Sequence, residues 1–467
     1  MSFVIVLAAL LFLMYVAYRG HSVILFAPVA ALGAVLLTDP SLVAPMFTGL
    51  FMDKMVGFLK LYFPVFLLGA VFGKVIEISG FSKSIVAATI KVVGAQRAIL
   101  SIVLVCALLT YGGVSLFVVV FAVYPFAAEL FRQADIPKRL IPGTIALGAF
   151  TFTMDALPGT PQIQNIIPSS FFGTDAWAAP WLGLIGGVFI LALGLAYLDW
   201  RRRVALARGE GYAGDSELRN EPAPFAGGKL ANPLLAIAPL VVVGVANKWL
   251  TVSIPDWYGA SHSFTPAVIG TPAPVVQEIP RIAAIWAVEG ALLLGIACVL
   301  LFAWRTVSRG FVPGSQSAIG GALLAGMNTA SEYGFGAVIA ALPGFLVVAN
   351  ALAAIPDPLI NEAITVTALA GITGSASGGM GIALAAMSET FIANAQAAGI
   401  PLDVFHRVAA MASGGMDTLP HNGAVITLLA VTGLTHRQAY KDIFAITLVK
   451  TLAVFVVIGA YYATGLV

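Results

Sequence analysis

Charge is what this sequence has least of. Only 10% of its 467 residues are Asp, Glu, Lys or Arg, against 60% hydrophobic, and its mean hydropathy is +0.97. A soluble domain carries roughly 25% charged residues, so this chain cannot cover a water-facing surface and takes lipid as its solvent. The few charges nearly cancel, 24 basic against 22 acidic for a formal +2, which excludes nucleic acid held by a general positive field. Cysteine is almost absent: Cys106 and Cys298 lie far apart in apolar runs, offer neither a disulfide framework nor metal-ligand spacing, and read as small buried hydrophobes. No His-Glu-Xaa-Xaa-His, serine-histidine elbow or cofactor fingerprint occurs, so no catalytic residue, resident metal or cofactor is expected, and an enzyme is disfavoured.

What is present is a series of apolar runs. The first, Ser2 to Ala17, lacks a basic start and a small-residue cleavage site and reads as a membrane helix, not a removed signal. A crossing helix needs about 20 apolar residues, and Lys and Arg gather on the cytoplasmic side. Tyr197 to Lys229, with Arg201, Arg202, Arg203, Arg208, Arg219 and Lys229, therefore reads as a cytoplasmic linker, and Thr251 to Pro280, without Lys or Arg, lies outside. Trp181 to Leu198, Leu230 to Leu250 and Ile282 to Trp304 are crossings around that anchor. Ile99 to Tyr111 is about 20 Å long as a helix, too short to cross. Followed by Gly112-Gly113 and the returning Val114 to Phe131, it predicts a re-entrant hairpin opening to the cytoplasm. Ala363 to Ser377, Gly378-Gly379 and Met380 to Ala398 predict a second hairpin opening outward.

The two halves repeat. TYGGVS (Thr110 to Ser115) lies over ASGGMG (Ala376 to Gly381), Ile136-Pro137 over Ile400-Pro401, and MDALP (Met154 to Pro158) over MDTLP (Met416 to Pro420), at offsets of 266, 264 and 262 residues. With hairpins opening to opposite sides, the repeats have inverted topology, which is characteristic of secondary transporters with a site near the midplane. The expected fold is an all-α polytopic membrane protein of ten crossings with both termini periplasmic: residues 1–199 the first inverted repeat, 200–229 a cytoplasmic linker, 230–467 the second. Each half supplies an interfacial helix (Phe81 to Val93; Leu346 to Ile355) and a broken crossing (Leu140 to Phe172; Val404 to Leu434).

Pro158 and Pro161 remove backbone donors at membrane depth, a break tolerated only against protein or a watery cavity. Thr160 is placed as an N-cap after it, with Pro161 at the first helical position, and Asn422 is its counterpart. Four half-helices then aim N-terminal amides at one region, where free N–H groups and the dipole bind an anion, so the expected substrate is a small organic carboxylate. Gly112, Gly113, Gly378 and Gly379 permit the tip turns and close approach of substrate. Ser115, Gln162, Ser377 and Thr418, with Thr373 and Ser375, can bind substrate hydroxyls or a cation; each can equally satisfy helix backbone. Asp155 and Asp417 are costly at this depth and are assigned to proton or cation coupling, with capping of the broken helix as the structural alternative. His421 sits in the second break as a substrate or proton group. Glu332 and Glu389 are weaker candidates, Arg407 pairs with an acid or snorkels outward, and His21, His262, His406 and His436 are expected at the surface.

With MDALPGTPQIQN, MDTLPHNGAV and the Gly-Gly hairpins in hand, the chain resembles the gluconate permease family of the ion transporter superfamily over nearly its whole length. The resemblance implies a homodimer in a bacterial inner membrane, a transport domain of about 81–172 and 346–434 moving like an elevator against a scaffold, and proton coupling, with sodium the alternative in that superfamily. Sugar-acid permeases of the family tend to carry histidine and a double proline at the first break. DALPGTP lacks that histidine, which directs the expectation to a smaller acid such as 3-hydroxybutyrate.

Overall fold

The structure, a computed structural model, describes residues 2–19, 21–94, 97–114, 116–213, 218–222, 230–265, 274–347, 351, 355–420 and 422–467, less the side chains of 17, 18 and 117. The first half runs α1 (Ser2–Tyr18), α2 (Val23–Thr38), α3 (Pro40–Ile78), α4 (Phe81–Val93), α5 (Ala98–Tyr111), α6 (Leu116–Gln133), α7 (Ile141–Ala149), α8 (Phe152–Asp155), α9 (Ile163–Phe172) and α10 (Pro180–Ala207). The second runs α11 (Pro233–Tyr258), α12 (Ile279–Ala341), α13 (Pro358–Thr373), α14 (Ala376–Ala398), α15 (Leu402–Ser413), α16 (Gly423–Thr432) and α17 (His436–Thr464). Helices α3, α10, α11, α12 and α17 are long and apolar enough to cross a membrane. The paired helices of the first hairpin, the bounds of α4 and the interruption of both expected crossings fall where the sequence places them. The second expected interfacial helix, Leu346 to Ile355, lies partly outside the described residues.

Three expectations about the elements change. The fold is not purely helical: β1 (Ser261–Phe264) and β2 (Val275–Glu278) pair antiparallel, Ser261 opposite Glu278, in the stretch assigned to the outside. That stretch is also shorter than predicted, because α11 continues to Tyr258 on the apolar sequence after Leu250. The expected crossing Ile282 to Trp304 ends at a kink, where the backbone of α12 departs from helical geometry at Ala303 (φ −131°, ψ 23°), but a second helix follows at once and runs to Ala341. The polar interval from Arg305 onward is therefore helical. Beyond the kink, α12 lies antiparallel along α3, with Gly334 against Phe51, Gly326 against Leu59 and Phe63, and Gly314 against Lys74 and Ile78; small residues let the two backbones approach closely, as lipid-embedded helices require.

The linker is pinned. Arg139 forks onto Glu210 (2.6 and 2.7 Å), while Arg132 (2.6 Å) and Lys138 (2.7 Å) share Glu221. The Asn220 amide donates to the carbonyl of Ala430 in α16 (2.8 Å). Nearby, the buried Asp442 of α17 accepts from Arg201 (2.6 Å) and Tyr197 (2.8 Å). Arg132, Lys138, Arg139 and Arg201 are thus each matched to an acid.

Candidate functional site

The first break begins where α7 ends at Phe150. One turn, α8, carries Asp155, and the chain then runs without helix through Pro158, Gly159 and Pro161 until α9 starts at Ile163. In the second, α15 ends at Ser413, Asp417 and Pro420 follow, and Asn422 caps α16 by accepting from the Val425 N–H (2.9 Å). Thr160 does not cap. Its hydroxyl donates back to the Thr153 carbonyl (2.8 Å), and Gln162 holds the cap position without a side-chain bond, because Pro161 stays outside the helix that was expected to start with it.

One side chain ties the two breaks together. Lys450 of α17, 2% exposed, forms a short ion pair with Asp417 and donates to the Phe150 carbonyl (3.1 Å) at the end of α7. Its ammonium thereby sits between a carboxylate and a helix C-terminus, both of which favour a cation. Asp155, 1% exposed, lies within electrostatic reach of Lys450, Asp417 and Arg407. Its carboxylate fills the space beside Gly414 where a Cβ would stand, and among the described residues Oδ2 has no hydrogen-bond partner. Arg407 does not snorkel, and among the described residues it makes no ion pair. It is fully buried and donates to the Asp155 carbonyl (2.9 Å), the Asn165 side chain (2.8 Å) and the Ala178 carbonyl (2.7 Å), supplying donors to backbone that the break leaves without them. His406 is likewise not at the surface: it is buried between the Asn165 carbonyl (3.1 Å) and the Thr174 hydroxyl (2.6 Å). His21, His262 and His436 are exposed as expected.

Each break is also fastened to the hairpin of its own half. Gln162 donates to the Thr110 carbonyl (2.7 Å) and the Tyr111 hydroxyl to the Pro158 carbonyl (2.8 Å); Asn422 donates to the Gly374 carbonyl (2.7 Å). The first tip turns at Gly112 and Gly113 (φ +95°), with Leu240 packed over Gly112 and Pro161 and Leu292 beside Gly113. The second tip is misplaced in the sequence reading. It turns at Gly374 (φ +67°) and Ser375, whose hydroxyl caps α14 by accepting from the Gly378 N–H (3.1 Å), so Gly378 and Gly379 fall inside the first helical turn. Their use there is close approach: Gly379 meets the backbone of Ala370, and Gly378 meets the carboxylate of Glu332.

Of the remaining expected residues, Ser377 faces the Thr329 hydroxyl (3.3 Å), Thr418 bonds Thr447 of α17 (2.6 Å), and Thr373 bonds its own helix at the Leu369 carbonyl (3.0 Å). Glu389 is exposed and far from being a buried acid. Ser115 and His421 lie outside the described residues. Sequence reasoning missed Lys450 and also Glu362 of α13, which is fully buried with neither carboxylate oxygen partnered among the described residues. The signal for both was available, since any ionisable residue inside a membrane segment is a functional hypothesis. A cavity of about 530 Å³ opens between α9, α11, α12 and α15, with Thr174, Asp175 and Asp403 on its wall.

No protein-family profile matches the chain. Across 476 aligned residues and the full length of both chains, 62% of positions are identical to the uncharacterized transporter YxjC of Bacillus subtilis (strain 168). The chain belongs to that family of membrane transporters. The solved structure of the Alcanivorax borkumensis YdaH transporter, described as having an unusual topology, superposes with a TM-score of 0.51 and 14% identity over 92% of this transporter and 90% of that chain. At that identity the likeness is one of fold.

Proposed function

We propose that the transporter is a proton-coupled symporter that imports a small organic carboxylate, such as 3-hydroxybutyrate or gluconate, across the bacterial inner membrane. It works as a homodimer of two inverted repeats, the hairpins and broken segments moving as an elevator against the long helices, as in the gluconate permeases it resembles. The observation that carries the reading is the meeting of the two breaks at Asp155, Asp417 and Lys450. Lys450 pairs with Asp417 alone, and Asp155, within its electrostatic reach, keeps an unpartnered oxygen among the described residues, for which binding a proton removes the cost of a buried bare charge. Lys450 also favours protons over sodium, because a tethered ammonium already occupies the position between carboxylate and helix C-terminus that a coupling metal ion would take. The substrate carboxylate binds among Gly112, Gly113, Gln162, Ser377, Gly378, Gly379 and Asn422, with Thr160 and Thr418; Ser115 and His421 are assigned to the same site from the sequence alone.

Uptake of labelled hydroxy acids into proteoliposomes tests this directly. Accumulation should follow an inward proton gradient, persist when choline replaces sodium, and disappear in Asp155→Asn. Accumulation that needs sodium, or is undiminished in Asp155→Asn, overturns the coupling assignment.

A further inference from the structure

The positive end of α14 already holds an acidic group, and it belongs to the protein itself. Glu332 sits midway along the part of α12 that crosses, is 3% exposed, and presses Oε2 against Gly378 so closely that no Cβ fits there; the Ser375 hydroxyl lies 3.0 Å from the same point. Oε2 has no hydrogen-bond partner among the described residues, and neither has the adjacent hydroxyl of Ser331, which is 1% exposed. The amides of Ala376 and Ser377, in the first turn of α14, have no acceptor within their own helix and carry its positive end. A buried carboxylate oxygen without a hydrogen-bond partner among the described residues therefore points at a helix N-terminus that an incoming carboxylate would also seek.

We propose that Glu332 is a protonatable competitor for the substrate carboxylate at the second hairpin. Ionised, it occupies the positive end of α14 and ties the hairpin to α12. Protonated, it gives that end up to the substrate anion. The step is an acid–base exchange: a proton from water adds to Oε2, its conjugate base stays in the aqueous phase, and one carboxylate enters, so the charge at the site is unchanged. This rests on the transport reading above but assigns a different residue and element from Asp155. Few other charges intrude. Of the elements packed here, α2 and α9 carry no ionisable side chain. On α3, Asp53, Lys54 and Lys60 are exposed, Lys74 pairs with Glu77 (2.9 Å), and Tyr62 is buried with its hydroxyl on the Ile167 carbonyl (3.3 Å). Glu389 of α14 is exposed, and Tyr333 neighbours Glu332 on α12 itself.

The test introduces Ala376→Cys with Cys298→Ser and measures N-ethylmaleimide labelling against pH, with and without Glu332→Gln. Labelling relative to the Gln variant should rise as pH falls, by up to about tenfold per pH unit while the carboxyl titrates; a ratio constant with pH overturns the proposal. In proteoliposomes, the KM for labelled gluconate or 3-hydroxybutyrate should lose its alkaline rise in Glu332→Gln, and a KM that climbs with pH as in the parent also counts against it. If neither acid is carried, the transport reading falls while the labelling still decides Glu332. Should Glu332→Gln not fold, Glu332→Asp serves: the shortened side chain should raise alkaline labelling above the parent, and unchanged labelling sinks the idea.

Discussion

Lys450 and Asp417 show what one residue contributes at this depth. Removing one member of a buried pair strands the other, at about 3–5 kcal/mol, whereas replacing both by neutral groups of similar size is far milder. Lys450→Met alone should therefore lower the thermal stability of the purified transporter sharply, and Lys450→Met with Asp417→Asn should restore most of it; a double variant as unstable as the single would show that the lysine acts through packing. Gly414→Ala is a second test, since its methyl falls on the Asp155 carboxylate. Overpacking of this kind costs about 1–3 kcal/mol, and the substitution should abolish coupled uptake while the protein still accumulates. Asp155 and Asp417 were legible because an acid beside a proline in an apolar run has few explanations. The role of Arg407 was not, because its acceptors are carbonyls and an amide up to 252 residues away in sequence, and no periodicity reports which backbone groups a break leaves open.

Among the elements, the two fastenings differ in a measurable way. Asn422 both caps α16 and holds the second tip, whereas Gln162 holds the first tip without capping α9. Asn422→Ala should lose a cap worth about 0.5–2 kcal/mol in addition to its tether, so it should lower the melting temperature more than Gln162→Ala. Hydrogen exchange should rise at residues 373–378 in the first variant and at 110–114 in the second; equal melting temperatures would argue against the capping difference. Element boundaries were readable where a glycine or a cap closed an apolar run, as for α4 and α5. They failed where two signals competed. At the second tip the Gly-Gly pair, aligned by its repeat, drew the turn four residues too late, while Gly374 and the Ser375 cap set it. In α12 the first crossing ends at the kink at Ala303, as its apolar run predicts, but the polar residues after Trp304 form a second helix and not a loop.

At the scale of the molecule, the pinned linker makes a pH prediction. The double hydrogen bond from Arg139 holds Glu210 below the ordinary glutamate value of 4.5, and Glu221, although burial pushes it up, is held down by Lys138 and Arg132. A carboxylate with a depressed folded value adds stability above its unfolded value and loses it as pH falls through the folded one. Pepsin should therefore cut residues 208–222 increasingly fast between about pH 5 and about pH 3, and trypsin should cut Glu210→Gln with Glu221→Gln there already at neutral pH; resistance of both would mean that the ion pairs are not what holds the linker.

These pairings also have an order in time. A chain made from its N-terminus meets the acids for Arg132, Lys138 and Arg139 within 71 to 89 residues, but the acid for Arg201 follows only 241 residues later. Arg201 is still uncompensated while the ribosome threads α11 to α16 into the bilayer, when unmatched cations orient the segments beside them. Only the emergence of Asp442 supplies the acid that hydrogen-bonds it. A variant that neutralised Arg201 would be expected to err in insertion before it erred in transport.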